Sequence, residues 1–372
     1  MMHLLNRLVV LSALVGAVLP AYLCAQDAYL QDLSVGAYIP AATDVPITVG
    51  IRNAAATPIP LYRIGWRWNK GRAHYSPEQQ TSGGGILQNT MMTTTHPVKL
   101  KIPKEGPGEL QVWVDVPGES DRRNDTLTTV VRAIGRGVEK GVLLEVKTSA
   151  NCGYCPKGNE VADRLNRDPM VAVAKYHVED EMATDRTVAY FKKYTSDAST
   201  PMGMIDQGEY GQYKASTQYS QWETQVKLRK KGLSPVYIDL EPKFDPRTRE
   251  LCVEFTATFT YAEPGEYVMN VLLLEDGVAG EQSNTQGGYA HGQVVRQVLG
   301  GLEGVSGIIP ERPELDKHYS FTFAESLPPG KDPDSMRVIG MVTRREGTKE
   351  HTLNVAKSMP LGRYVSRSNT GQ

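Results

Sequence analysis

Two cysteines three positions apart carry the clearest chemistry in this chain. Cys152 and Cys155 stand in the stretch Glu145-Val-Lys-Thr-Ser-Ala-Asn-Cys-Gly-Tyr-Cys-Pro156. A pair at this spacing can exchange disulfides: one thiolate attacks a partner disulfide, and the second thiol resolves the mixed disulfide. The flanks suit that chemistry. Val142 to Val146 reads as a short strand that runs into a turn. After Cys155 the pattern turns helical, with Pro156 suited to a first helical position and Val161 and Leu165 four apart. A helix N-terminus presents unpaired N–H groups and the positive end of a dipole. That field favours a thiolate, so Cys152 is expected to be the exposed, acidic nucleophile and Cys155 the resolving thiol.

Two plainer readings stand beside this one. A Cys-x-x-Cys can be half of a zinc site, but zinc needs four ligands and no second such pair follows. It can also be an inert structural disulfide. A second stretch, Ser199-Thr-Pro-Met-Gly-Met-Ile-Asp206, places Thr200-Pro201 before an apolar run. X-Pro is the setting in which a cis peptide bond is readily tolerated.

These residues together resemble a thioredoxin-like domain spanning about Gly141 to Gly232. Members place a cis-proline opposite the cysteines, where its backbone pairs with a bound peptide. The resemblance therefore implies that Thr200 and Pro201 hold the substrate chain, with Tyr154 beside them in the substrate-binding set and expected to tune the pair by packing. The Cys152-Gly-Tyr-Cys155 centre looks like that of bacterial periplasmic disulfide isomerases. The mature chain resembles the outer-membrane protein twenty-eight family of Bacteroidetes. The matching pieces are Leu143-Leu144-Glu145, Cys-Gly-Tyr-Cys-Pro, Thr200-Pro201-Met-Gly-Met-Ile and His291-Gly-Gln-Val-Val-Arg296. The resemblance implies an envelope location, in the periplasm or at the outer membrane. Two positions depart from thioredoxins. Asn151 stands where a Trp precedes the first cysteine, and Val146 where a buried acid serves proton transfer. Glu145 is one residue off, and one step along a strand reverses the face.

The wider composition sets limits. The chain has 372 residues, 40% hydrophobic and 22% charged, which is ordinary globular usage and enough for two or three domains. A formal charge of −1 gives no reason to expect nucleic acid as a partner. Residues 1–25 read as a secretory signal: His3 and Arg7, an apolar run from Leu8 to Leu19, then cleavage after Ala25. A lipoprotein cut before Cys24 is the competing reading, opposed by bulky Tyr22 and Leu23. Peripheral outer-membrane association fits either case.

The expected fold class is α+β multidomain. An immunoglobulin-like β-sandwich covers 26–133, a thioredoxin-like α/β domain 137–233 and a C-terminal β-sandwich 235–360. In the first, Tyr62, Ile64, Trp66 and Trp68 alternate with Arg63, Gly65 and Arg67, and Leu110, Val112, Val114 and Val116 repeat the pattern. Such alternation marks a buried face more often than a binding face. Asp44 to Asn53 and Asp121 to Asp125 resemble bacterial adhesion modules of immunoglobulin type. Residues 134–140 read as a linker.

Within the central unit, Val171 to Tyr176 makes a second strand, and a helix starts near Thr184 with Val188, Phe191 and Tyr194 on one side. A last helix is expected from Ser216 or Thr217, ending at Lys230, Lys231 and a left-handed Gly232. The fourth strand of such a fold is hard to find, since Gln207 to Tyr213 is poor strand material. His177, beside Glu179, Asp180 and Glu181, could lie near the cysteines and tune them, but such a charge cluster more often reads as a solvated strand end. In the last part, Leu251 to Tyr261 alternate. Tyr267 to Leu274, Tyr319 to Phe323 and Met336 to Val342 read as strands, Gly280 to Gly292 as a polar loop and His291 to Leu299 as a short helix. His291 with Arg296 could form a binding pair, but a surface role without ligand is the expectation. Cys252 sits on a polar face as a free thiol.

The expected activity is thiol–disulfide exchange on envelope proteins. It needs no cofactor beyond the dithiol and a redox partner to reset it. The alternative is a binding or adhesion protein that uses the fold as a scaffold.

Overall fold

The computed structural model describes residues 26–119, 121–208, 215–347 and 349–365. The signal reading, Cys24 and most of Gln207 to Tyr213 lie outside them. The architecture is mostly β: a mixed, partly parallel sheet flanked by helices, with β-sandwich parts before and after it. Among the described residues no helix is long and apolar enough to cross a membrane.

The N-terminal sandwich packs a three-stranded sheet (28–33, 48–53, 91–95) on a larger one built on 61–68, 106–115 and 126–134. The alternating residues meet in its interior: Tyr62, Ile64, Trp66, Leu110, Val112 and Val114 are all buried in one cluster. The tryptophan strand is thus core. Residues 134–140 do not run free. Val138–Glu139 pairs with Leu233–Ser234, and Lys140 is buried with an ion pair to Asp206 at 3.0 Å.

The central unit begins with β1 (Val142–Thr148), followed by α1 (Cys155–Asn166), β2 (Val171–His177), α2 (Asp185–Lys192), β3 (Met202–Ile205) and α3 (Tyr219–Lys230). β1 pairs parallel with β2 and antiparallel with β3. Even positions of β1, Val142, Leu144 and Val146, face α1 and α3 through Ala162, Leu165, Trp222 and Val226. Odd positions face α2, where Tyr190, Phe191 and Tyr194 pack on Leu143 and Tyr176. Thr184 caps α2 in a reciprocal box with Thr187, and Thr187 and Tyr190 take the buried positions expected of Val188. Gln218, not Ser216 or Thr217, caps α3, because Ser216 pairs with Gly203 instead. Gly232 has no left-handed conformation. It is a glycine for closeness: a Cβ on Gly36 would lie 2.5 Å from Gly232 Cα.

The missing fourth strand comes from far along the chain. The C-terminal part supplies β4 (Val236–Asp245), β5 (Glu250–Phe259), β6 (Glu266–Glu275), β7 (Val294–Val298), β8 (His318–Ser326), β9 (Met336–Glu346) and β10 (Lys349–Lys357). β7 joins the outer edge of β2 in parallel at Lys175 and Val294, and the sheet continues as β3-β1-β2-β7-β6-β9-β10. One face of β6, with Met269, Val271 and Leu273, packs on the β4-β5-β8 sheet. The other, with Leu272 and Leu274, joins the core under α2. A strand buried on both faces reads as a continuous apolar run. Residues 291–299, expected as a helix, enter strands instead, because Val294, Val295 and Val298 fill this sheet.

Candidate functional site

The turn after β1 is held before the helix begins. Ala150 N–H donates to Asp180 Oδ2 at 2.7 Å, Asn151 N–H to Ser149 Oγ at 3.2 Å and Asn151 Nδ2 to Glu179 O at 2.6 Å. α1 starts at Cys155 with Pro156 in its first positions and no side-chain cap. That frees backbone N–H groups for sulfur. Cys155 N–H donates to Cys152 Sγ at 3.1 Å, a contact that would also support a thiolate.

Cys152 and Cys155 form a disulfide, with Cα atoms 5.4 Å apart. Cys155 is fully buried and Cys152 is partly exposed. The Thr200–Pro201 peptide is cis and adjoins the pair: Cys152 Sγ is 3.5 Å from Thr200 O. α1 approaches closely here because residue 158 is glycine. A Cβ on Gly158 would lie 2.9 Å from Pro201 Cγ. Tyr154 is 73% exposed, where packing on the pair was expected. A cleft of about 480 Å³ runs beside the helix start, lined by Pro156, Glu160, Asp163, Arg164, Arg167 and Tyr289.

The C-terminal part reaches into the site. Gln282 is buried, and its Nε2 donates to Ala150 O and Cys152 O at 3.0 Å each and to Ser149 O at 3.3 Å. Ser283 N–H donates to Ala150 O at 2.8 Å, and Asn284 Nδ2 to Gly153 O at 3.2 Å. Sequence reasoning missed these residues, and a polar Gly-rich loop carries no signal of what it will cover.

Val146 and Glu145 take the faces the strand step requires. Val146 lies beneath α1, and Glu145 is fully buried on the α2 side, accepting from Tyr176 Oη at 2.9 Å. Burial pushes the Glu145 carboxyl up to about 8, against hydrogen bonds from Tyr176 and Tyr190 that favour its charge. His177 is not a solvated strand end. It is 1% exposed and its Nδ1 lies 2.7 Å from Asp180 Oδ2. His291 is buried too, whereas Arg296 pairs with Glu275 at 2.6 Å. Cys252 is a free thiol of intermediate exposure. Among the described residues no group of three or more His, Cys, Asp or Glu is placed to hold a metal ion.

No family model matches the chain, and no curated protein does. Solved structures do. HBP35 of Porphyromonas gingivalis aligns with a TM-score of 0.54 and 18% identity, over 64% of this chain and 80% of that one. A domain of the outer membrane lipoprotein Omp28 from Porphyromonas gingivalis covers 34% of this chain and 88% of its own, with a TM-score of 0.23 and 16% identity. The CARDB domain of PF1109 from Pyrococcus furiosus covers 30% of this chain and 97% of its own, with a TM-score of 0.23 and 14% identity. The chain has an HBP35-like fold and carries a CxxC pair within it.

Proposed function

We propose that this chain is an exported cell-envelope protein that exchanges disulfides with other envelope proteins through Cys152 and Cys155. The observation that carries this reading is the asymmetry of the pair. Cys152 is partly exposed at a helix N-terminus with its sulfur beside the Thr200 carbonyl, and Cys155 is fully buried. In the reducing direction, Cys152 thiolate attacks a substrate disulfide and Cys155 then displaces the substrate. The Thr200–Pro201 backbone and exposed Tyr154 flank the accessible sulfur and are the surfaces against which a substrate chain would lie. The reading of residues 1–25 as a signal supports export, and a redox partner resets the pair.

The second reading is a binding or adhesion protein with the thioredoxin-like unit as scaffold. The sandwich parts and the apolar Val146 favour it. Trapping separates the two. In a Cys252→Ser background, Cys155→Ala is expected to accumulate envelope proteins as mixed disulfides through Cys152, and Cys152→Ala to trap none. If Cys155→Ala collects nothing and the parent shows no reductase or isomerase activity, the scaffold reading stands.

A further inference from the structure

Behind the CxxC loop lies a cluster of buried polar side chains that the exchange steps above leave unused. Three parts of the chain build it. Thr148 and His177 are paired neighbours at the ends of β1 and β2, on the sheet face that α1 covers. Asn159 comes from α1, four residues after Cys155 and so on the same side of the helix. Gln282, Tyr289 and His291 come from the C-terminal part. The His177 and His291 rings meet edge to face at 5.1 Å, and the Tyr289 ring lies 4.6 Å from that of His291. Tyr289 is hydrogen-bonded to Asn159.

Thr148, Asn159, His177, His291 and Gln282 are all at least nine-tenths buried. Each presents one polar atom without a protein partner: Thr148 Oγ1, Asn159 Oδ1, His177 Nε2, His291 Nδ1 and Gln282 Oε1. Buried polar atoms are nearly always paired, so five exceptions in one place call for a chemical reason.

His177 is held as a proton acceptor is held. Burial works to raise the Asp180 carboxyl, but hydrogen bonds from His177 and the Ala150 N–H outweigh it and keep Asp180 below its ordinary range. An ionised Asp180 fixes the proton on His177 Nδ1 and leaves the lone pair on the unpartnered Nε2. The same Asp180 oxygen takes the Ala150 N–H, so the pair is tied to the CxxC loop itself. The other titratable groups around His177 are few. His291, lowered by burial, is neutral and donates Nε2–H to Glu281 O. Lys175, two residues back on β2, is paired with Asp163 of α1 and also feels Asp276. Tyr289 lies beyond His291, its ring against that imidazole.

We propose that the His177–Asp180 pair accepts and returns the Cys155 proton during disulfide exchange. This rests on the exchange reading of Cys152 and Cys155. At the mixed-disulfide stage, the Cys155 thiol gives its proton across the buried cluster to His177 Nε2. The Cys155 sulfur attacks Cys152 Sγ. The Cys152–Cys155 bond forms, and the bond from Cys152 to the substrate sulfur breaks. The substrate thiolate leaves with the electron pair and takes a proton from the imidazolium or from solvent. The cysteine pair is oxidised by two electrons, and the substrate disulfide, the oxidant, is reduced by two.

The test follows the two steps separately. Reduced protein in the Cys252→Ser background is mixed with one equivalent of a chromogenic aryl disulfide in a stopped-flow instrument. The first aryl thiolate released reports Cys152 attack, and the second reports resolution by Cys155. His177→Gln is expected to slow the second phase about 10²-fold near neutral pH and to leave the first within about twofold. The gap between the two proteins should narrow as pH rises past the ordinary thiol value of about 8.5. A second phase with the parent's rate and pH profile overturns the proposal. If His177→Gln does not fold, Asp180→Asn replaces it. Losing the carboxylate is expected to move the midpoint of the resolution step to lower pH, and an unmoved midpoint overturns the proposal. A parent that releases no aryl thiolate at all removes the exchange reading itself, and this proposal with it.

Discussion

Gln282 donates its carboxamide to the Cys152 carbonyl at 3.0 Å, although 130 residues of chain separate the two. The same NH₂ group also reaches Ala150 O and Ser149 O. One side chain from the C-terminal part therefore fixes the backbone that carries the first cysteine. We predict that Gln282→Ala costs about 0.5–1.5 kcal/mol, the usual net worth of a hydrogen bond, because each of these carbonyls keeps a backbone donor. Amide hydrogen exchange should speed up in residues 149–155 and stay unchanged in α2. Equal protection of residues 149–155 in both proteins would show that this clamp contributes nothing.

Gly158→Ala tests the seat of the cis-proline. Alanine favours a helix interior by up to about 1 kcal/mol over glycine. Its Cβ, however, would stand 2.9 Å from Pro201 Cγ and 3.0 Å from Pro201 Cβ, atoms of a rigid ring. Overpacking of this kind costs about 1–3 kcal/mol. We predict a net loss of thermal stability and slower exchange with a model disulfide. A stabilised variant with unchanged exchange would show that α1 can move away from Pro201 freely.

The two thiols of the pair should differ in alkylation. Cys155 is fully buried, and Cys152 is partly exposed with the Cys155 N–H on its sulfur. In reduced Cys252→Ser protein near neutral pH, iodoacetamide is expected on Cys152 first, located by peptide mass mapping. Faster labelling of Cys155 would reverse the assigned roles.

Glu145 makes stability depend on pH. In the folded protein its carboxyl stays protonated until about pH 8, against an ordinary value of 4.5. The folded state therefore holds an extra proton between these values, and this group's contribution to stability falls as pH rises from about 4.5 to about 8. Glu145→Gln keeps a neutral group of the same shape and removes that fall. Urea midpoints at about pH 5 and about pH 8.5 should drop more for the parent than for the variant. Parallel drops in both would place the Glu145 carboxyl in its ordinary range.

Lys140 and Asp206 form an ion pair at 3.0 Å, with side chains 10% and 6% exposed. Lys140 also donates to Gly141 O at 2.7 Å. Lys140→Met leaves a buried carboxylate alone, which costs about 3–5 kcal/mol. Adding Asp206→Asn should recover part of that loss in denaturant titrations.

Much of this molecule could be read along the chain because its signals are local. The CxxC pair, the strand before it and the helix after it fall within a few residues. The buried strand from Tyr62 to Trp68 keeps its period of two because only one of its faces is core. What could not be read is set by distant partners. Tyr267 to Leu274 gives no sign of which sheet it joins, since both of its faces are covered. Val294 to Val298 scans as part of a short helix until it is laid beside Leu272 to Glu275 in the sheet. His177 looked wet because acidic residues follow it, yet one of those acids folds back as its partner.

The single Lys175–Val294 junction also bears on how the central unit could be handled in isolation. All seven residues of β2 are buried, and only β7 flanks its outer side. A fragment ending at Gly232 would keep both cysteines, the cis-proline and all three helices. It would also present a naked parallel edge of otherwise buried residues, of the kind that recruits a second chain. Such a fragment is therefore a recipe for self-association rather than a minimal enzyme, and attempts to transplant the CxxC unit would need to carry β6 and β7 with it.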